Sequence, residues 1–176
     1  MKEPDLRVLG IDPGSRYCGF GVVEDGGARM RHLEHGVLSL GEERPIEERL
    51  SRLHDGLSRA LRQHRPDLVA IEDVFHAHNS RSALVLGQAR GVALLAAAQS
   101  GAQVRSFAPS VIKQAVTGTG RAEKDQVGRM VAVLLGITIE GRADASDALA
   151  AAICGLLRAR EPQLPAAITA NSRRRR

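Results

Sequence analysis

Three strand-length segments joined by short turns, followed by helical patterns that alternate with two more strands, leave few architectures open to this chain. Residues 6–11 form an apolar run closed by Asp12-Pro13-Gly14, as expected of a buried strand ending in a turn. Residues 17–23 read as a second strand, in which Gly19 and Gly21 allow close backbone approach. Asp25-Gly26-Gly27 then turns the chain into a third strand over 30–40. Pro45 opens a helix whose Ile46, Leu50, Leu53, Leu57 and Leu61 recur at three- and four-residue steps, until His64-Arg65-Pro66 ends it. Strand four follows over 67–72, then a polar loop over 76–81, a nearly all-apolar helix over 82–99 and strand five over 104–108. Helical patterns over 109–116, 123–135 and 145–159 complete the order, with Pro162 and Pro165 beyond them. The expectation is an α/β fold: a five-stranded mixed sheet, three antiparallel strands then two parallel, flanked by helices.

The length of 176 residues suits one domain, expected over 1–160, with a basic tail over 161–176 expected to be disordered. The formal charge is +5, but four of the 25 basic residues are the arginines at 173–176, and the remainder nearly balances 20 acids. A nucleic-acid surface must therefore come from local segregation of charge. Aromatics are 2% of the chain: Tyr17, Phe20, Phe75 and Phe107. Cys18 and Cys154 lie far apart and have no metal-ligand spacing, as in small apolar core residues of a cytoplasmic protein. No leader-like or membrane-spanning run is visible, and a membrane partner is not expected.

The acids carry the chemistry. Asp12 ends strand one, Glu72 ends strand four, and Asp144 and Asp147 stand three apart at a helix start, sharing a face. Singly, each has a plainer role, as turn former, solvated strand end or helix cap. If strands one and four are neighbours, Asp12 and Glu72 converge, and a helix docking its N-terminus there adds Asp144 and Asp147. Four clustered carboxylates repel unless cations neutralise them, and hard oxygen ligands favour Mg2+ or Mn2+. Two such ions about 3.5–4 Å apart suit phosphodiester hydrolysis. Lys113 and Lys124 lie in a segment richer in bases than acids and are candidates for a phosphate-binding face. Phe75, at the entry to the polar loop, can stack on an unpaired base or pack at the core edge. His76 and His78 lack further metal-ligand partners, Ser15 and Ser80 lack a base, and Gly118-Thr119-Gly120 lacks the spacing of a phosphate loop.

Val8-Leu9-Gly10-Ile11-Asp12-Pro13-Gly14-Ser15-Arg16, followed by Gly19-Phe20-Gly21, resembles the opening of the RuvC family of Holliday-junction resolvases. So do Ala70-Ile71-Glu72-Asp73-Val74-Phe75, Leu86-Gly87-Gln88-Ala89-Arg90-Gly91, Lys113-Gln114-Ala115-Val116-Thr117-Gly118, Ala122-Glu123-Lys124-Asp125-Gln126-Val127 and Asp144-Ala145-Ser146-Asp147-Ala148-Leu149-Ala150. The likeness runs in order over about 6–157. It implies a ribonuclease H-like fold and a bacterial homodimer that nicks four-way DNA junctions symmetrically with Mg2+ or Mn2+, about two ions per subunit, alongside a branch-migration motor of RuvA and RuvB type. It assigns the metal-site acids to Asp12, Glu72, Asp144 and Asp147, base stacking to Phe75, the important lysines to Lys113 and Lys124 and the dimer helix to about 82–99. Two departures stand out: Asp73, where the family often has Gln, and Asn79-Ser80-Arg81-Ser82, where Arg81 adds a base near the DNA path. The competing readings are an actin-like ATP-binding module and a catalytically inactive junction-binding protein.

Overall fold

The computed structural model describes residues 5–73 and 79–161. The first apolar run forms β1 (Arg7–Asp12), and its turn leads into β2 (Tyr17–Asp25) and β3 (Met30–Ser39). β1 pairs antiparallel with β2, and β2 with β3, where a bulge lies opposite Val22 and Val23. Helix α1 (Ile46–His64) then crosses to β4 (Leu68–Glu72), and α2 (Ser80–Gln99) crosses to β5 (Gln103–Phe107). β4 lies parallel to β1, and β5 parallel to β4, giving the sheet order β3-β2-β1-β4-β5. Helices α3 (Pro109–Thr117), α4 (Lys124–Leu135) and α5 (Ala143–Arg160) follow. This is the expected mixed sheet with its antiparallel and parallel halves.

Alternation along the central strands builds two cores. Leu9, Ile11, Val69 and Ile71 face α1 and α2, joining Leu53, Leu57 and an alanine stripe of α2. Val8, Leu68 and Ala70 face the other way, onto α5 and beyond it α3 and α4. With so few aromatics, aliphatic side chains and alanines fill both layers. Cys18 and Cys154 are fully buried, as their reading as core residues requires.

Helix α5 lacks a polar face because it lies between the sheet and two other helices. Its residues from Ala148 to Leu156 are small or aliphatic and buried. It also begins at Ala143, two residues before the expected start, which sets Asp144 inside the first turn. Among the described residues, no helix is long and apolar enough to cross a membrane.

Candidate active site

The pleat forces the first two acids together. Asp12 follows Val8 and Gly10 on the α5 face of β1, and Glu72 follows Leu68 and Ala70 on the same face of β4. Parallel pairing runs to Ile11 opposite Ile71, so the two acids occupy the next position of the same ladder. Their carboxyls are thereby near enough to act on each other electrostatically.

Glycines bring in the second pair. A methyl group at Gly10 would lie 2.0 Å from the Ala148 carbonyl oxygen, and one at Gly19 would lie 1.9 Å from the Asp144 carbonyl oxygen. Only glycine at these two positions lets the α5 backbone rest directly on β1 and β2. Gly19 is also the register partner of Asp12. The first turn of α5 is thereby seated beside the end of β1, and Asp144 and Asp147, on one helix face, reach the same cleft.

That cleft has a volume of about 890 Å3, and its lining includes Asp12, Glu72, Asp144, Asp147, Lys113 and Lys124. Burial, then repulsion from Glu72, Asp147 and Asp144, pushes Asp12 up to about 8. Burial, then Asp147, pushes Glu72 up to about 7, although Lys124, Asp12 and Lys113 oppose the rise. Burial also raises Asp147, against the pull of Lys124. The Lys124 ammonium lies 2.6 Å from Asp147 Oδ2 and is itself held above its ordinary range by that contact.

Hard oxygen donors with uncompensated negative charge are the donor set a divalent cation neutralises. Among the described residues, no three possible ligands already stand in coordination geometry. Instead the chain supplies its own cations, Lys124 on Asp147 and Arg142 on Asp144, the latter at 3.0 Å. The residues fit the ion by chemistry and convergence, with two acids engaged by basic side chains.

Of the other predicted positions, Lys113 and Lys124 line the cleft. Arg81 is exposed in the first turn of α2 and is not among the residues lining the cleft. Phe75, His76 and His78, like the arginines at 173–176, lie outside the described residues.

Three contributors escaped the sequence reading. Arg90 reaches from α2 to the Asp73 carboxylate and also donates to Ser106 Oγ at 2.9 Å. The negative charge that Asp73 brings beside the site is thus answered locally. Arg90 belongs to the Leu86-Gly87-Gln88-Ala89-Arg90-Gly91 motif, but nothing in the sequence names its partner. Tyr17 and Arg142 stack on one another, a contact between residues 125 positions apart that no local pattern signals. Arg90→Ala is expected to cost about 1–2 kcal/mol in urea unfolding, because Asp73 would keep a partly buried charge without its partner. Adding Asp73→Gln should restore most of that loss, and an unrescued double mutant would contradict the pairing.

A mixed sheet of this connectivity, with acids at adjacent strand ends and two more on a docked helix, defines a ribonuclease H-like nuclease. The family model described as crossover junction endodeoxyribonuclease RuvC matches residues 8–155, and the chain belongs to the RuvC family. A RuvC of Myxococcus xanthus is 50% identical over 172 residues, covering 97% of this chain and 90% of the relative. One from Anaeromyxobacter is 55% identical over 153 residues, covering 87% of this chain and 74% of the relative. The solved structure of Thermus thermophilus RuvC superposes with a TM-score of 0.79 at 36% identity, covering 88% of this chain and 96% of that one. The same protein solved in complex with a Holliday junction substrate gives a TM-score of 0.79 at 34% identity. Membership of this nuclease family implies dependence on divalent metal.

Proposed function

We propose that this chain is a structure-selective endonuclease that resolves four-way (Holliday) DNA junctions in recombination and repair. It makes paired symmetric nicks in strands of like polarity, leaving 5′-phosphate and 3′-hydroxyl ends. The observation that carries this reading is the meeting of Asp12, Glu72, Asp144 and Asp147 with Lys113 and Lys124 in one cleft.

The four carboxylates are the metal ligands. Mg2+ or Mn2+, two ions per subunit, supplies the Lewis acidity that eases attack by water and departure of the 3′-oxygen. The chain's own groups position the substrate. Lys113 and Lys124 line the cleft with the acids, Lys124 in contact with Asp147, and hold the phosphodiester there against the surrounding negative charge. Lys124 also balances charge that develops on the phosphate as the bond breaks. Phe75 stacks on a base left unpaired at the junction, and Arg81 contacts the DNA backbone.

The protein works as a homodimer, so that two clefts address two strands. Support comes from α2, where Leu84, Gly87, Gly91 and Leu95 follow one another on an exposed face and added methyl groups at both glycines would meet open space. The nuclease domain spans 1–160, with 161–176 a basic tail. The setting is the bacterial cytoplasm, beside a branch-migration motor of RuvA and RuvB type.

The test compares end-labelled four-way junction with linear duplex, with and without Mg2+. Symmetric nicks confined to the junction and requiring metal are expected. Equal cutting of linear duplex would overturn the substrate assignment, and metal-independent cutting would overturn the role of the acids.

A further inference from the structure

Arg142 makes two contacts at once. Its guanidinium carbon lies 3.5 Å from the centroid of the Tyr17 ring, while Nε donates to Asp144 Oδ2 at 3.0 Å. Arg142 is the N-cap residue of α5 and Gly141 before it has φ of 94°, a left-handed turn that delivers the arginine to this corner. Tyr17 opens β2 two residues before Gly19, against which the Asp144 carbonyl rests. The ring, the guanidinium and the carboxylate are therefore all tied to the same backbone contact.

An ordinary exposed ion pair gains little, because two flexible side chains must be held in one geometry. Here the ring holds the planar guanidinium in place, so less freedom is lost on pairing. The side chains of Arg142 and Asp144 are 52% and 25% exposed, so the arginine is reachable and the acid partly sheltered. Beside the main cleft lies a second one of about 560 Å3, lined by Arg142, Ser146 and Asp147 among others, which gives a displaced arginine somewhere to go.

We infer that Arg142, held on Tyr17, is a positioning residue that occupies Asp144 and competes with the divalent ion for it, setting the ion concentration at which the site loads. This rests on the proposed metal role of Asp144. Tyr17 sets the strength of the competition by fixing the arginine, and neither residue need touch the reacting phosphate.

The experiment is a Mn2+ titration of the full chain without DNA at low ionic strength, following free Mn2+ by electron paramagnetic resonance. Arg142→Gln is expected to bind Mn2+ roughly 3- to 10-fold more tightly than wild type, since a competing charge close to Asp144 is gone. Tyr17→Leu should shift affinity in the same direction by less, Tyr17→Phe should match wild type, and the differences should shrink in high salt. A purely structural role for Arg142 would weaken binding instead. Unchanged or weaker binding by Arg142→Gln, or wild-type affinity in Tyr17→Leu, overturns the inference alone. If wild type shows no Mn2+ binding that Asp12→Asn removes, the metal-site assignment fails and the inference falls with it.

Discussion

Asp12→Asn is expected to lower junction cleavage by at least ~10^3-fold, about 4 kcal/mol of transition-state stabilisation, while leaving junction binding largely intact. Asp12 is the most strongly raised of the four acids and the one that feels all three others. The same substitution should change how stability depends on pH in metal-free protein. In the folded chain Asp12 titrates near 8, against 3.8 as its ordinary value. Between those limits the folded form keeps a proton that the unfolded form releases, so this group makes stability fall as pH rises from about 4 to about 8. Asparagine cannot ionise, and its curve should be flatter by a few kcal/mol across that window, with Glu72 retaining a smaller slope of the same sign. Urea midpoints at pH 6 and pH 9, without divalent ions, provide the measurement. Parallel curves for mutant and wild type would show that Asp12 is neither buried nor crowded as described, and full cleavage by the mutant would remove it from the site.

Gly19→Ala should be nearly as damaging by a different route. The new methyl would stand 1.9 Å from the Asp144 carbonyl oxygen, an atom of the helix backbone that cannot rotate away. Helix α5 must lift from β2, at a cost of about 3 kcal/mol and a fall in Tm of ~10 °C. Lifting also carries Asp144 away from Asp12, and a displacement near 1 Å can lower turnover ~10^2-fold even where the protein remains folded. Cleavage rates at low temperature, beside thermal melts, separate the two effects. Wild-type values for both would mean that α5 does not rest on β2 as described.

Much of this arrangement was legible before any coordinates. The order of strands and helices follows from local periodicity and turn residues, and the parallel pairing of β1 with β4 brings Asp12 and Glu72 together as that order suggested. The start of α5 was less legible, because Ala143 and Asp144 carry little apolar signal and the Arg142 side chain caps no backbone N–H of the helix. The partnerships of Arg90 with Asp73 and of Arg142 with Tyr17 and Asp144 could not be read at all. The Arg90–Asp73 and Arg142–Tyr17 contacts join segments whose meeting depends on how α2 and α5 dock, and docking is decided by packing between distant residues. The close seating of α5 was hinted at by Gly19 and Gly21, but a glycine in a strand announces an approach without naming what approaches.

Having no solvent-facing side through its middle, α5 is wrapped by the sheet and by α3 and α4, and it sits among the contacts that global unfolding breaks last. Two of the acids are carried on it and the other two on the strands beneath, so local breathing of the outer helices would loosen the lysines before it scattered the carboxylates. Under mild stress such a molecule would surrender its hold on the nucleic acid while its acidic centre stayed assembled, ready to work again once the periphery re-formed.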